Sequence, residues 1–257
     1  MNAAFAWPGG KRALLPTLLK LIPKHTTYVE VFAGSAKLLF AKEPSRYEVL
    51  NDLNGDVINF YRVAKHRTAE LAERFESECI HAGRFRDLRA ATPECEIDRA
   101  LRFVYLTWYS FSAMGEHFAS GTGKTLRPPR SLAAVRKTFT DVSERLARVL
   151  IEQRDFIDIL QRYDSPQVAF YLDPPYVDFE SNGRYGPLEP AQREELFKTL
   201  SRLKGRFLLS FDAHPEIIER AKRHRFHVRH VEVNYCLGGN NTKRAGEVLI
   251  ANYPLAA

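Results

Sequence analysis

The sequence predicts an α/β fold: a parallel nucleotide-binding sheet built from the two ends of the chain, with a mainly helical domain inserted between them. Two observations carry this. Strand-length apolar segments alternate with helix-period segments over residues 1–67 and again over 151–257. Over residues 68–150 that alternation is lost, and the segment reads as helices around a loop containing glycine and proline.

Each element has a local reason. From Lys11 to Ile22 the apolar residues Leu14, Leu15, Leu18, Leu19 and Ile22 recur at helical spacing, and Pro23 stops the helix. Tyr28 to Phe32 is a buried strand, Ala33-Gly34-Ser35-Ala36 a tight turn of small residues, and Lys37 to Lys42 a helix start. A second strand, Tyr47 to Asn51, delivers Asp52 at its end, and Asp56 to Lys65 is helical again. This order of strand, small-residue turn, helix and acid-terminated strand opens a parallel nucleotide-binding sheet. Near the C-terminus the pattern resumes. Strand Val168–Leu172 is followed by helix 191–203, strand 206–211, helix 215–223 and strands 226–233 and 247–253. Within the insertion, residues 97–111 form a helix.

Composition narrows the classes further. The chain has 257 residues, 45% hydrophobic and 27% charged, enough for a packed core and unlike a disordered chain. Its 38 Lys plus Arg against 31 Asp plus Glu give a net charge of +7, which favours a polyanionic partner. Cys79, Cys95 and Cys236 lie far apart without ligand spacing, against a disulfide framework or a zinc module. No metal site is expected. His224, His227 and His230 recur every third residue, but strand alternation puts His227 and His230 on opposite faces, so they read as polar surface. The N-terminus shows no signal pattern and no apolar run approaches the ~18 residues of a membrane helix, so a cytoplasmic protein with no membrane association is expected.

Two motifs carry chemistry. In the Phe32-Ala33-Gly34-Ser35 turn, a glycine lets the backbone approach a nucleotide-like ligand, and Asp52, 18 residues after Gly34, suits ribose hydroxyls. The full GxGxxG pattern is absent, which argues against a dinucleotide. The second motif, Asp173-Pro174-Pro175-Tyr176, follows an apolar strand and so falls at the carboxyl end of the sheet, where open α/β folds bind ligands. Two prolines fix an extended backbone and supply no N–H, leaving their carbonyls as acceptors. An acid, a proline carbonyl and an aromatic face held together suit a planar substrate with an exocyclic amino group. The two oxygens accept its hydrogens while its ring stacks on the tyrosine.

With these residues in this order, the sequence resembles the Dam-like N6-adenine DNA methyltransferases, the class that places its DNA-reading domain between cofactor motif and catalytic motif. Trp7-Pro8-Gly9-Gly10-Lys11 is similar to the family's aromatic-x-Gly-Gly-Lys segment, and Val31 to Ala36 to its FxGxG cofactor turn, with Ala36 where a second glycine is usual. Asn51-Asp52 matches the second-strand acid, Arg154-Asp155-Phe156 the segment flanking the cofactor adenine, and Gly246 to Tyr253 the last strand. The resemblance implies a Rossmann-like S-adenosylmethionine-dependent methyltransferase sheet, transfer of a methyl group to a flipped adenine in double-stranded DNA, and S-adenosylhomocysteine as product. It implies Asp173, Pro174, Pro175 and Tyr176 as catalytic residues. Trp7, Gly10, Lys11, Phe32, Ala33, Gly34, Ser35, Asp52, Asp155 and Phe156 are expected at the cofactor, with Lys11 facing either the cofactor carboxylate or the target pocket. Adenine N6 is a poor nucleophile until its hydrogens are held and its lone pair can turn toward the sulfonium methyl; positioning and electrostatics then suffice.

Charge places the DNA. From His117 to Thr140 there are five basic residues, Lys124, Arg127, Arg130, Arg136 and Lys137, and no acid. Gly115, Gly121, Gly123 and Pro128-Pro129 suggest an exposed loop or hairpin that meets phosphates, with Phe111, His117 and Phe118 nearby as wedges or stackers. Asp178 to Pro187 reads as a loop that closes on substrate. A monomer is expected, with a dimer on DNA as the alternative. The rival readings are methylation of RNA adenine or of cytosine N4, and a catalytically silent DNA-binding protein on the same fold.

Overall fold

A computed structural model of the chain describes residues 3–7, 11, 13–119, 129–177, 186–236 and 242–255. The first elements are α1 (Leu15–Leu21), β1 (Thr27–Glu30), α2 (Lys37–Ala41), β2 (Tyr47–Asn51) and α3 (Gly55–His66). Four further helices follow: α4 (Thr68–Glu76), α5 (Ala82–Ala90), α6 (Glu96–Trp108) and α7 (Leu132–Leu146). The chain then forms β3 (Val149–Glu152), α8 (Phe156–Tyr163), β4 (Val168–Leu172), α9 (Pro190–Leu200) and β5 (Arg206–Asp212). It ends with α10 (Pro215–Arg223), β6 (His227–Cys236) and β7 (Thr242–Ala251).

The seven strands run in the order β3-β2-β1-β4-β5-β7-β6. Strand β1 pairs in parallel with β2 and with β4, and β4 in parallel with β5. Strand β7, inserted between β5 and β6, runs antiparallel to both. This is the doubly wound order with one antiparallel strand added, and its reversal beside β1 is where such sheets bind ligands. All five residues of β4 are buried, as expected of a central parallel strand covered on both faces.

By packing, the chain divides into two compact units: Met1–Gly10 with Gly55–Ile151, and Lys11–Asn54 with Glu152–Ala257. The division falls earlier than the boundary at residue 68 expected from the sequence. The reason is α3, whose apolar face of Val57, Ile58, Phe60, Tyr61 and Val63 is buried in the helical unit with α6 and α7. That unit has an aromatic core. Phe60 meets Phe5 and Phe103 edge-on or tilted, and Trp108 stacks on Phe139 at 5.6 Å. The core of the second unit interleaves Val29, Phe170, Leu172, Leu209, Phe211 and Ile250 from the sheet with Ile159, Leu196, Phe197 and Ile217 from helices.

Local chemistry explains the differences from the sequence reading. Helix α1 begins at Leu15 instead of Lys11 because Pro16 lacks an N–H and is tolerated only in a first turn. The expected loop of residues 117–140 is a helix from Leu132 onward, started by the Ser131 side chain, which accepts from the Ala134 amide at 3.2 Å. Strand β3 leaves no signal in the sequence, since the three apolar residues Val149-Leu150-Ile151 are too few to show a period.

Candidate active site

The turn after β1 is built by backbone geometry. Gly34 has φ 46° and Ala36 φ 50°, both in the left-handed region. For Gly34 this carries no side-chain penalty, whereas Ala36 is strained by ~1–2 kcal/mol and is held by complete burial. Asp52 closes the turn: its Oδ2 accepts from the Gly34 amide at 2.9 Å and its Oδ1 from the Asn54 amide at 2.9 Å. The carboxylate, 3% exposed, is thereby fixed in position at the carboxyl end of β2. Beside it, Asn51 donates to the carbonyls of Val31 and Arg154 at 2.9 and 3.0 Å and accepts from the Arg154 amide at 2.9 Å. The side chain ties together segments far apart in sequence.

Asp155 caps α8, accepting from the Ile157 amide at 2.8 Å, and Phe156 is buried with its ring 5.7 Å from that of half-buried Phe32. Ala33 and Ser35 are buried within the turn. Phe32, Ala33, Gly34, Ser35, Asp52, Asp155 and Phe156 thus all lie in the second unit. Trp7 belongs to the other, packed against Phe5 and Phe103. Gly10 lies outside the described residues.

The Asp-Pro-Pro-Tyr box leaves the end of β4. Oδ1 of Asp173 accepts from the hydroxyl of Ser210 on β5 at 2.9 Å and pairs with the Lys11 ammonium at 2.8 Å. Both donors are buried, Ser210 fully and Lys11 to 6% exposure, while the Asp173 side chain retains 24%. Pro174 is buried and Tyr176 is half-buried, its ring stacked on Phe211 at 5.7 Å. The Lys11 ammonium also lies 4.6 Å from the centroid of the Tyr176 ring, in cation–π contact. Lys11 therefore stands at the Asp-Pro-Pro-Tyr box.

Two further acids, Glu30 and Glu247, surround this group. Glu30 on β1 is buried and takes hydrogen bonds from the Tyr28 hydroxyl and the Leu39 amide at 2.8 and 2.9 Å on one oxygen. Burial pushes its carboxyl up to about 8 against those two bonds, with Asp173 adding in the same direction. Glu247 on β7 is 1% exposed, opposite Asp212 in the ladder, and its nearest cation is Lys11 at 3.9 Å. Burial raises its carboxyl to about 7; Lys11 opposes this, and Asp173 adds to it. Burial also holds the phenols of Tyr171 and Tyr176 well above their ordinary range.

Sequence reasoning missed Ser210, Glu30 and Glu247. The available signal was the polar residue in an otherwise apolar strand, as in Leu208-Leu209-Ser210-Phe211 and Glu247-Val248-Leu249-Ile250. A buried polar group is retained only with a partner or a task.

In the helical unit the expected cations are mostly committed. Arg136 and Lys137 sit on α7 and not on a loop; Arg136 pairs with Glu76, and Lys137 with Asp141 at 2.8 Å. Arg130 is exposed and lies 4.4 Å over the Trp108 ring. Lys124, Arg127 and residues 178–185 of the expected closing loop lie outside the described residues. Phe111 is 60% exposed, whereas Phe118 packs on Phe85. Among the described residues there is no cluster of three metal-ligating side chains, and no helix long and apolar enough to cross a membrane.

A doubly wound sheet with an acid-closed glycine turn and an anchored Asp-Pro-Pro-Tyr box at its carboxyl ends is the architecture of an α/β protein that binds its ligands at those ends. Residues 7–232 match the D12 class N6 adenine-specific DNA methyltransferases, and the chain belongs to that family, whose activity is methylation of adenine in DNA. It is 29% identical over 196 residues to the DNA adenine methylase of Salmonella typhi, covering 72% of this chain and 68% of that one. It is 24% identical over 273 residues to a Type II methyltransferase of Lactococcus lactis subsp. cremoris, covering 96% and 94%. It is 27% identical over 186 residues to the DNA N-6-adenine-methyltransferase of Escherichia phage P1, covering 68% of this chain and 24% of that one.

Proposed function

We propose that the chain methylates the N6 of an adenine flipped out of double-stranded DNA, with Asp173 as the residue that orients the amine. The anchoring of Asp173 Oδ1 by Ser210 and Lys11 carries this reading, because it turns the carboxylate into a fixed acceptor at the mouth of the sheet. Asp173 and the Pro174 carbonyl accept the two N6 hydrogens, so the nitrogen pyramidalises and its lone pair points outward from the box. Tyr176 holds the ring by stacking. S-adenosylmethionine supplies the methyl group as a sulfonium.

The Gly34 turn and Asp52 fit such a nucleoside cofactor: a glycine without Cβ lines the turn, and a buried acid is pinned beside it by backbone amides. Asp52 would take the ribose hydroxyls, and Phe32, Asp155 and Phe156 would border the adenine. Ala33 and Ser35 complete the proposed cofactor-side set within this unit, and Lys11 serves the target pocket. Base flipping costs a few kcal/mol of lost stacking. Residues 68–150 read the DNA, with Arg130, Arg136, Lys137, Lys124 and Arg127 meeting phosphates. The protein acts as a monomer in the cytoplasm, where its bacterial and phage relatives' DNA is found.

The test is incorporation of labelled methyl from S-adenosylmethionine into unmethylated bacterial DNA and into RNA, followed by nucleoside analysis. N6-methyladenine in DNA is expected. Label confined to RNA, or N4-methylcytosine as the product, would overturn the reading.

A further inference from the structure

Glu247 is the most costly group in the site. Both of its carboxyl oxygens and the neighbouring Tyr176 hydroxyl are buried, and among the described residues none of the three atoms has a hydrogen-bond partner of good geometry; a weak contact with that hydroxyl and the long ion pair to Lys11 are what hold the carboxyl. A buried acid is normally paired or absent. Around it stand Lys11 at 3.9 Å, Asp173, Tyr176 and, across the β5–β7 ladder, Asp212.

The position of Lys11 supplies a reason. Its ammonium lies on Asp173 Oδ1 at 2.8 Å and over the Tyr176 ring at 4.6 Å from the centroid. These are the two contacts that the proposed chemistry gives to the target adenine, an N–H on Asp173 and stacking on Tyr176. Partners in a ring stack sit with centroids ~4.5–7 Å apart, so the ammonium lies within the layer that a stacked base requires. For the base to be seated, Lys11 has to yield. A cation leaving one buried carboxylate needs another. Glu247 lies about 1 Å beyond hydrogen-bond reach of the ammonium.

We propose that Lys11, on Asp173, holds the place of the target amine and transfers to Glu247 when the flipped adenine arrives, which makes Glu247 a positioning residue for methyl transfer. This rests on the role of Asp173 proposed above. No bond is made or broken in the transfer: the ammonium keeps its protons and exchanges one carboxylate for another. Glu247 holds Lys11 only by a long ion pair of 3.9 Å, which shortens when the substrate takes Asp173. The exchange compensates for the charge removed from Asp173 at the moment that N6 takes its place.

The experiment compares Glu247→Gln and Glu247→Asp with the wild type in steady-state methylation of unmethylated bacterial DNA. Glutamine preserves shape but offers no negative seat. Its kcat is expected to fall about tenfold or more, with KM for S-adenosylmethionine within about twofold and a melting temperature no lower than wild type. Aspartate keeps the charge and should recover several-fold of that loss. Wild-type kcat in Glu247→Gln, or Glu247→Asp no better than Glu247→Gln, would overturn the proposal. Should the variants fold poorly, a crystal structure of the wild-type enzyme with a target duplex and an unreactive cofactor analogue decides. Lys11 within hydrogen-bond distance of Glu247 is expected there, and Lys11 still on Asp173 with the base seated would refute it. Asp173→Ala, assayed in parallel, separates this from the parent reading: full activity in that variant removes the role of Asp173 whatever Glu247 does.

Discussion

The Ser210 hydroxyl donates to Oδ1 of Asp173 at 2.9 Å and lies 3.0 Å from the Tyr171 hydroxyl, so a serine inside an apolar strand sets the orientation of the acid at the end of the neighbouring one. Two substitutions follow from this relationship. Asp173→Ala should reduce turnover by about 10² or more while near-ultraviolet circular dichroism remains native. Ser210→Ala leaves Asp173 held by Lys11 alone, and kcat is expected to fall about tenfold with KM for the cofactor little changed. Ser210→Ala with undiminished kcat would mean that the hydroxyl does not orient the acid.

At the Gly34 turn, Asp52→Ala removes both the acceptor proposed for ribose and the two backbone bonds that shape the turn. Cofactor affinity, measured by calorimetry, should drop about tenfold to a hundredfold, and stability by about 1–3 kcal/mol. Loss of stability with unchanged affinity would reduce Asp52 to a structural residue.

The raised acids give stability a definite pH dependence. Glu247 titrates at about 7 and Glu30 at about 8 in the folded chain, both above their ordinary value of 4.5. Between the unfolded and folded values the native state holds protons that the unfolded state has released, so stability contributed by these groups is full below about pH 4.5 and is lost as pH rises toward 7 or 8. For Glu247 the loss is on the order of 3 kcal/mol. Glu247→Gln should therefore flatten the fall in unfolding free energy between pH 5 and pH 8, measured by denaturant titration, by about that amount. An unaltered pH profile would show that this acid ionises normally.

Arg136 is tied to Glu76 by an exposed, solvent-screened pair, so DNA phosphate can compete for it. Arg136→Ala should weaken DNA binding uniformly across sequences and lower the salt-dependence slope by about 1. Glu76→Gln, which frees the arginine, should tighten binding about twofold to threefold. If neither substitution moves the affinity, Arg136 lies off the DNA path.

Much of the sheet was legible because apolar strands bounded by turn residues leave a pattern, and Val168–Leu172 and Pro215–Arg223 match their expected ends. The acid after β2 and the box after β4 were readable for the same reason: strand ends are marked in sequence, and ligands gather there. Ser210, Glu30 and Glu247 were not, since their roles come from residues brought beside them by strand pairing, which no local spacing encodes. Arg136 and Lys137 were misplaced because glycines and prolines upstream suggested an irregular segment, while the Ser131 cap that starts α7 is a single residue. The extent of α3 within the helical unit was hidden by its amphipathic pattern, which names an apolar face but not what it packs against.

Asn51 has a consequence for the order of events during synthesis. Its amide bridges Val31 to Arg154, 103 residues further along, and β1 beside it lies between β2 and β4. As the chain leaves the ribosome, β1 and β2 can pair early, but β1 keeps an unsatisfied edge until residues 168–172 appear. Such long-range closure is slow and leaves strands exposed to wrong partners. The helical segment of 55–151, made in the interval, gives the nascent chain something to fold while the first two strands wait for their third.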